Sequence, residues 1–111
     1  MPSPRPPRRG EIWLAALDPT LGSEIQKTRP CVIVSPPEMN EHLRTLVVAP
    51  MTTGSRPAPF RIPVAFQRKN GLILLDQLRT LDRQRLVQRL GVVKPATLAG
   101  VLEGLQAMFA P

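Results

Sequence analysis

The side chains in this chain whose types and placement suit chemistry are arginine, threonine and carboxylates, because the usual nucleophile sets are missing. His42 is the only histidine and Cys31 the only cysteine. No Ser/His/Asp arrangement can therefore avoid His42, no disulfide can close within the chain, and no Cys/His cluster exists to hold a structural zinc. His42 sits close after Pro36-Pro37, a turn signal. Cys31 opens the apolar run Cys31-Val32-Ile33-Val34, where a small buried role suits it better than nucleophilic attack. No phosphate-binding glycine loop or metal-ligand spacing occurs. What remains is Arg29, just ahead of that run, and Thr52 with Thr53 at the end of a second β-branched run. Such groups can manage RNA cleavage without a cofactor, since the nucleophile, the ribose 2′-hydroxyl, comes with the substrate. The protein has to align it, stabilise charge on the phosphorane and see the leaving 5′-oxygen protonated. A planar guanidinium and a hydroxyl donor fit those tasks. An arginine before a strand is more often a solvated charge, so neither feature decides anything alone.

To bring these groups together, the chain needs strands whose ends meet. Glu11–Leu17 reads as a strand apolar on both sides, with Ile12, Leu14 and Ala16 alternating with Trp13, Ala15 and Leu17. Cys31–Ser35 and Thr45–Thr52 are β-branched strand runs, with a helical turn expected over Glu38–His42 between them. Phe60, Ile62, Val64 and Phe66 alternate with Arg61, Pro63 and Ala65. Pro63 cannot donate a ladder hydrogen bond, which puts this strand at an edge. Asn70-Gly71 predicts a type I′ hairpin turn into Leu72–Leu75. Leu86–Val93 is a last, irregular strand. Pro95 then opens a helix with Leu98, Val101, Leu102, Leu105, Met108 and Phe109 on one stripe. Gly100 and Gly104 in that helix each disfavour it by ~1 kcal/mol relative to alanine. Either they allow close packing on a second surface, such as a partner subunit, or the helix is merely suboptimal. Short strands punctuated by turns and closed by one helix indicate a mainly β fold, a small SH3-like barrel with a C-terminal helix.

The chain has 111 residues, enough for one domain, and a formal net charge of +7. Met1–Arg9 holds four prolines, three arginines and no acid, so residues 1–9 read as a disordered basic arm and 10–111 as the domain. Three charges in the arm leave +4 on the body. That balance suits a polyanion or an acidic protein, though a basic solvated surface produces it equally. No apolar stretch approaches the roughly 20 residues of a membrane span, and no apolar region follows the basic N-terminus. The expectation is a cytoplasmic protein with no membrane partner.

Six blocks then resemble one family. Arg9-Gly10-Glu11-Ile12-Trp13-Leu14, Leu17-Asp18-Pro19-Thr20, Gly22-Ser23-Glu24, Lys27-Thr28-Arg29-Pro30, Val48-Ala49-Pro50-Met51-Thr52 and Asp76-Gln77-Leu78-Arg79-Thr80-Leu81-Asp82 occur in the order and spacing of the MazF/PemK toxins. The match runs from about Arg9 to the end. The resemblance implies a dimeric SH3-like barrel of the MazF/PemK/CcdB type that cuts single-stranded RNA at short motifs. It implies cleavage without metal or cofactor, leaving a 2′,3′-cyclic phosphate and a 5′-hydroxyl. It places the catalytic pair at Arg29, for charge stabilisation and proton transfer, and Thr52, for positioning the phosphate. Glu24, Lys27, Thr53, Asp76, Gln77 and Arg79 become substrate-contact candidates, and the loop Leu21–Thr28 a flank of the RNA groove. It also implies an acidic MazE-like antitoxin whose partly disordered tail competes with RNA, with DNA reached only through that complex. There are departures. The position two before Asp76, an arginine in some PemK-type members, is Leu74, and a loop histidine of that type is Ser23. Asp76 then reads as a substrate-contact or structural carboxylate, and the general base stays open.

Plainer readings stand beside these. Trp13 fits a core better than a base-stacking platform. Gln77 and Arg79 either read bases or hold a turn, and Arg83, Arg85 and Arg89 either touch phosphates or are solvated surface. With no tyrosine and few aromatics, hydrogen bonding in a groove between subunits is a better mode of base recognition than extended stacking. Two rival functions use the same barrel: a toxin that poisons DNA gyrase by binding it, and a member that binds nucleic acid without cutting. Arg29-Pro30 and Thr52 are expected in the nuclease and idle in the gyrase binder.

Overall fold

The computed structural model describes residues 5–17 and 27–111. Its strands are β1 (Glu11–Ala16), β2 (Thr28–Ile33), β3 (Thr45–Thr52), β4 (Arg61–Phe66), β5 (Lys69–Leu74), β6 (Arg79–Asp82) and β7 (Leu86–Val92). A one-turn helix, α1 (Pro37–Asn40), follows Pro36, and the C-terminal helix α2 spans Pro95–Phe109 with Pro95 in its first turn. The strands form one curled sheet in the order β4-β5-β3-β2-β1-β7, with β6 also on β3, and every pair is antiparallel. This is the mainly β, SH3-like barrel with a terminal helix that the strand pattern predicts.

β3 organises the sheet. One side pairs with β2, from Ile33↔Val48 to Cys31↔Pro50. The other pairs with β6 over Thr45–Val48 and then with β5 at Met51 and Thr52. Pro50, with no N–H to donate, lies between those two partners, where the ladder changes over. Alternation along β1, β2 and β3 sends side chains to two cores. Ile12, Val32, Val34, Ala49 and Met51 join Ile73, Leu75 and Val101 beneath α2. Ala15, Leu17, Cys31, Ile33, Leu46, Val48 and Leu81 form the second, with Trp13 and Leu86 at its margin. Burial on both faces of β1 is thus real, and Trp13 is a packing residue.

Several elements differ from the sequence expectation. β2 begins at Thr28, so Arg29 lies within a strand instead of ahead of one. The β4–β5 turn is Gln67-Arg68, at φ 52° and 64°, because Phe66 pairs with Lys69. Asn70-Gly71 sits inside β5 instead, paired with Ala65 and Val64. β6 is missed by pattern, since only Leu81 of its four residues is buried. The glycines of α2 find their reason within the chain. A Cβ on Gly104 would lie 2.7 Å from Leu75 Cδ1 and 3.6 Å from Ile62 Cδ1, and one on Gly100 would lie 3.8 Å from Ile62.

The arm expected over residues 1–9 is described from Arg5 onward, and Arg5–Arg9 lie against the barrel. Glu11 holds them there. Its buried carboxylate accepts from Arg5 Nη2 (2.5 Å), Arg89 Nε (2.9 Å), the Arg8 amide (2.8 Å) and Trp13 Nε1 (3.1 Å). Arg9 Nε donates to the Val34 carbonyl at 3.0 Å. Burial alone would raise the Glu11 pKa. The hydrogen bonds from Arg5, Arg8, Trp13 and Arg89 outweigh it and bring it from 4.5 to about 2.

A carboxylate lowered in the folded state stabilises above its unfolded pKa, and that stabilisation is lost as pH falls through the folded one. Chemical denaturation should therefore show the protein losing about 3 kcal/mol between about pH 5 and pH 2 in excess of a Glu11→Gln variant. Equal pH slopes for the two proteins would contradict the role given to Glu11.

Candidate functional site

The β2–β3 register carries Arg29 and Thr52 to one end of the sheet. Extending the antiparallel pairing from Cys31↔Pro50 by two residues on each strand sets position 29 opposite position 52. On its other side β2 is tied to β1 by Ala15↔Arg29 and Ala16↔Thr28. Arg29 and Thr52 line the same cleft, of about 190 Å³, together with Pro30, Met51, Thr53, Val64, Phe66, Gln67, Lys69 and Gly71. Arg29 is exposed and Thr52 half-buried. No acid lines the cleft among the described residues, so Arg29 and Lys69 make its local charge positive.

The floor is set by close approach of backbone. A Cβ on Gly71 would lie 2.7 Å from the Thr52 carbonyl oxygen, so only glycine lets β5 pair tightly beside Thr52. Thr52 Oγ1 accepts the Gly54 amide hydrogen at 3.2 Å. That bond uses a lone pair and leaves the hydroxyl proton to be donated outward. A fixed hydroxyl donor beside an exposed guanidinium can grip a phosphate and stabilise charge growing on it.

The remaining sequence candidates fall in different places. Glu24 lies outside the described residues, as does most of the loop Leu21–Thr28. Lys27 is described at φ 65°, and its carbonyl accepts the Leu17 amide at 2.8 Å. Thr53 is exposed in the cleft. Asp76, Gln77 and Arg79 are not among the residues that line it. Asp76 takes Arg61 Nε at 3.2 Å and Nη2 at 3.0 Å, while Arg61 Nη1 reaches the Arg56 carbonyl at 3.1 Å. That pair braces the segment leading away from Thr53. Leu74 is fully buried and pairs across the strands with Arg61, so the cation beside Asp76 comes from β4. Arg79 Nη1 donates to the Leu17 carbonyl at 2.7 Å and Arg85 Nη1 to Ala16 at 3.2 Å. Both therefore hold the end of β1, the strand that positions Arg29.

Burial pushes the Cys31 thiol up to about 12, against a smaller opposing pull from Arg79. The thiol stays protonated and is no nucleophile. His42 is exposed beside Leu43, Arg44 and Arg83, away from the cleft. Sequence reasoning missed Val64, Phe66, Gln67 and Lys69 as cleft residues, because their membership depends on where the β4–β5 hairpin turns.

Comparison with known proteins now identifies the architecture. Residues 8–109 match the family model of the PemK-like, MazF-like toxins of type II toxin–antitoxin systems. The chain belongs to this family. Among curated members it resembles Endoribonuclease PemK of Escherichia coli, with 46% identity over 79 residues. That match covers 67% of this chain and 59% of PemK, so it spans less than two thirds of that relative. Endoribonuclease MazF of Staphylococcus epidermidis is 38% identical over 89 residues, 75% of this chain and 74% of that protein. Among solved structures, MazF from Deinococcus radiodurans superposes with a TM-score of 0.82 at 25% identity, covering 95% of this chain and 97% of the other. A mycobacterial endoribonuclease solved with its cognate antitoxin gives 0.79 at 27% identity, over 95% and 97%.

The Gly71 contact makes a test of the site's construction. Gly71→Ala should destabilise the fold by roughly 1–3 kcal/mol through overpacking against the Thr52 carbonyl. It should also lower the activity proposed below more than the lost stability explains, read as initial rate well below the melting temperature. A variant with unchanged stability would mean that β5 need not approach Thr52 so closely.

Proposed function

We propose that the chain is an endoribonuclease toxin that cuts single-stranded RNA, and that Arg29 and Thr52 are its catalytic pair. The observation that carries this is their meeting in one cleft that no acid among the described residues lines, in a family two of whose members are named endoribonucleases. In the reaction, the 2′-hydroxyl gives up its proton to solvent as its oxygen bonds to phosphorus, the bond to the 5′-oxygen breaks, and that oxygen takes up a proton. The products are a 2′,3′-cyclic phosphate and a 5′-hydroxyl. The hydroxyl of Thr52 positions the phosphate. Arg29 offsets charge on the phosphorane and serves in proton transfer to the leaving oxygen. Thr53 and Lys69 add contacts at the rim, Lys27 and Glu24 belong to the flank, Asp76 and Arg79 act as supports of the surrounding backbone, and Gln77 stays a substrate-contact candidate.

The partner reading follows the same charge. An acidic antitoxin segment suits the body's +4 balance and the cleft's two cations. The family's toxin–antitoxin description and the mycobacterial complex support it. A homodimer in the cytoplasm is the setting we propose. No helix among the described residues is long and apolar enough to cross a membrane.

Purified protein incubated with a long mixed-sequence RNA in EDTA should cut it and leave cyclic-phosphate ends. Arg29→Ala and Thr52→Ala should each slow cutting by about 100-fold or more with the circular dichroism spectrum kept. Cutting that survives both substitutions, or that needs an added divalent ion, would refute the assignment. Gyrase-dependent DNA breaks with intact RNA would favour the gyrase binder.

A further inference from the structure

The cleft does not end at Lys69. A second cavity, of about 440 Å³, lies between the two edge strands of the sheet, β4 and β7, at the start of α2. The two cavities share Val64, Phe66 and Gly71, so one groove runs from the Arg29–Thr52 end past Phe66 to Lys94. The Phe66 ring is half-buried and packs against the core beneath α2, with its Cε1 at ordinary van der Waals distance, 3.6 Å, from where a Cβ on Gly91 would sit. Beyond Phe66 the walls are apolar, from Ile12, Pro63 and Val93, with polar groups from Asn70, Thr97 and Lys94. Lys94 is exposed, and no acid lines the second cavity among the described residues.

We infer that this groove is an extended strand-binding track in which Phe66 is a nucleobase platform and the cavity toward Lys94 takes the adjoining nucleotide. The inference rests on the RNA-cleaving reading above and deepens it. A single strand alternates flat apolar bases with phosphates about once per nucleotide. The groove alternates in the same sense: cations Arg29 and Lys69, the Phe66 ring, then an apolar cavity that ends at a cation. Such a combination of aromatic face and basic rim is what sequence-tolerant single-strand binding requires. An acidic peptide would use the cations and leave the ring idle. Volume agrees with this division. The first cleft is smaller than pockets that enclose a whole ligand, roughly 300–1,000 Å³, and suits a phosphate and its sugar, whereas the second falls within that range.

The test first maps the cut in a long RNA. It then measures binding of oligoribonucleotides centred on that cut, carrying a 2′-deoxyribose at the cut nucleotide and trimmed from either end. Lys94→Ala should weaken binding of the full-length oligonucleotide several-fold and reduce the slope of log K against log salt by about 0.7, one phosphate contact. Trimming one end should erase that difference and trimming the other should leave it. Phe66→Leu should weaken binding by about tenfold or more, and Phe66→Trp, which keeps a ring, should retain it. Arg44→Ala, at the far end of β3, is the control for a general loss of charge. Wild-type affinity in Lys94→Ala, an effect independent of trimming, or loss in Phe66→Leu matched by equal loss in Phe66→Trp would each overturn the track. Loss in Lys94→Ala with Phe66→Leu silent would leave a phosphate contact without a base platform and overturn it too. If wild type cuts RNA while these variants are silent, only this inference falls. If wild type neither binds nor cuts, the functional reading falls with it.

Discussion

Everything at the proposed site depends on β3 holding three neighbours along eight residues. A strand has two edges, and β3 gives one to β2 and divides the other between β6 and β5. The division occurs around Pro50, which has no amide hydrogen to donate at the changeover. Beyond it the strand ends at Thr52, beside β5 on one edge and, two residues past the last β2 pair Cys31↔Pro50, level with Arg29 on the other. The hydroxyl and the guanidinium are therefore brought together by backbone hydrogen bonds, which have little freedom to slide. A register slip of one residue would turn Thr52 to the opposite face and move two apolar cores with it.

The charged residues divide by what they touch. Glu11, Asp76 and the carbonyls at the end of β1 engage Arg5, Arg89, Arg61, Arg79 and Arg85, which ties these arginines to structure. The described cleft is lined by no acid, and its cations face open space. This segregation gives the surface a local positive field where a polyanion would lie, without a high charge over the whole body.

Much of this is legible in the residues, and the exceptions have causes. β1, β3, β4, α1 and α2 follow from alternation, β-branching and proline placement. β3 matches its expected bounds residue for residue, since β-branched Thr45, Val47, Val48 and Thr52 run through a segment in which five of eight positions are buried. The hairpin is different. Asn70-Gly71 is the stronger local turn signal, but Gly71 has to meet the Thr52 carbonyl, so the turn moves to Gln67-Arg68 at the expense of two positive φ angles. β6 escapes notice because a four-residue strand with one buried side chain has no period to detect.

The sequence by itself determined the family, the mainly β architecture and the inert setting of Cys31, and it singled out the proposed pair Arg29 and Thr52. These follow from ordered motifs and local pattern, both of which are properties of neighbouring residues. Tertiary structure alone decided that Arg79 and Arg85 serve the β1 terminus, that Asp76 is engaged by Arg61, and that Phe66 and Lys69 enter the cleft. Each of those facts joins residues from 15 to 69 positions apart or depends on where a hairpin turns. Contacts of that kind come from the register of the whole sheet, which no window of the chain contains.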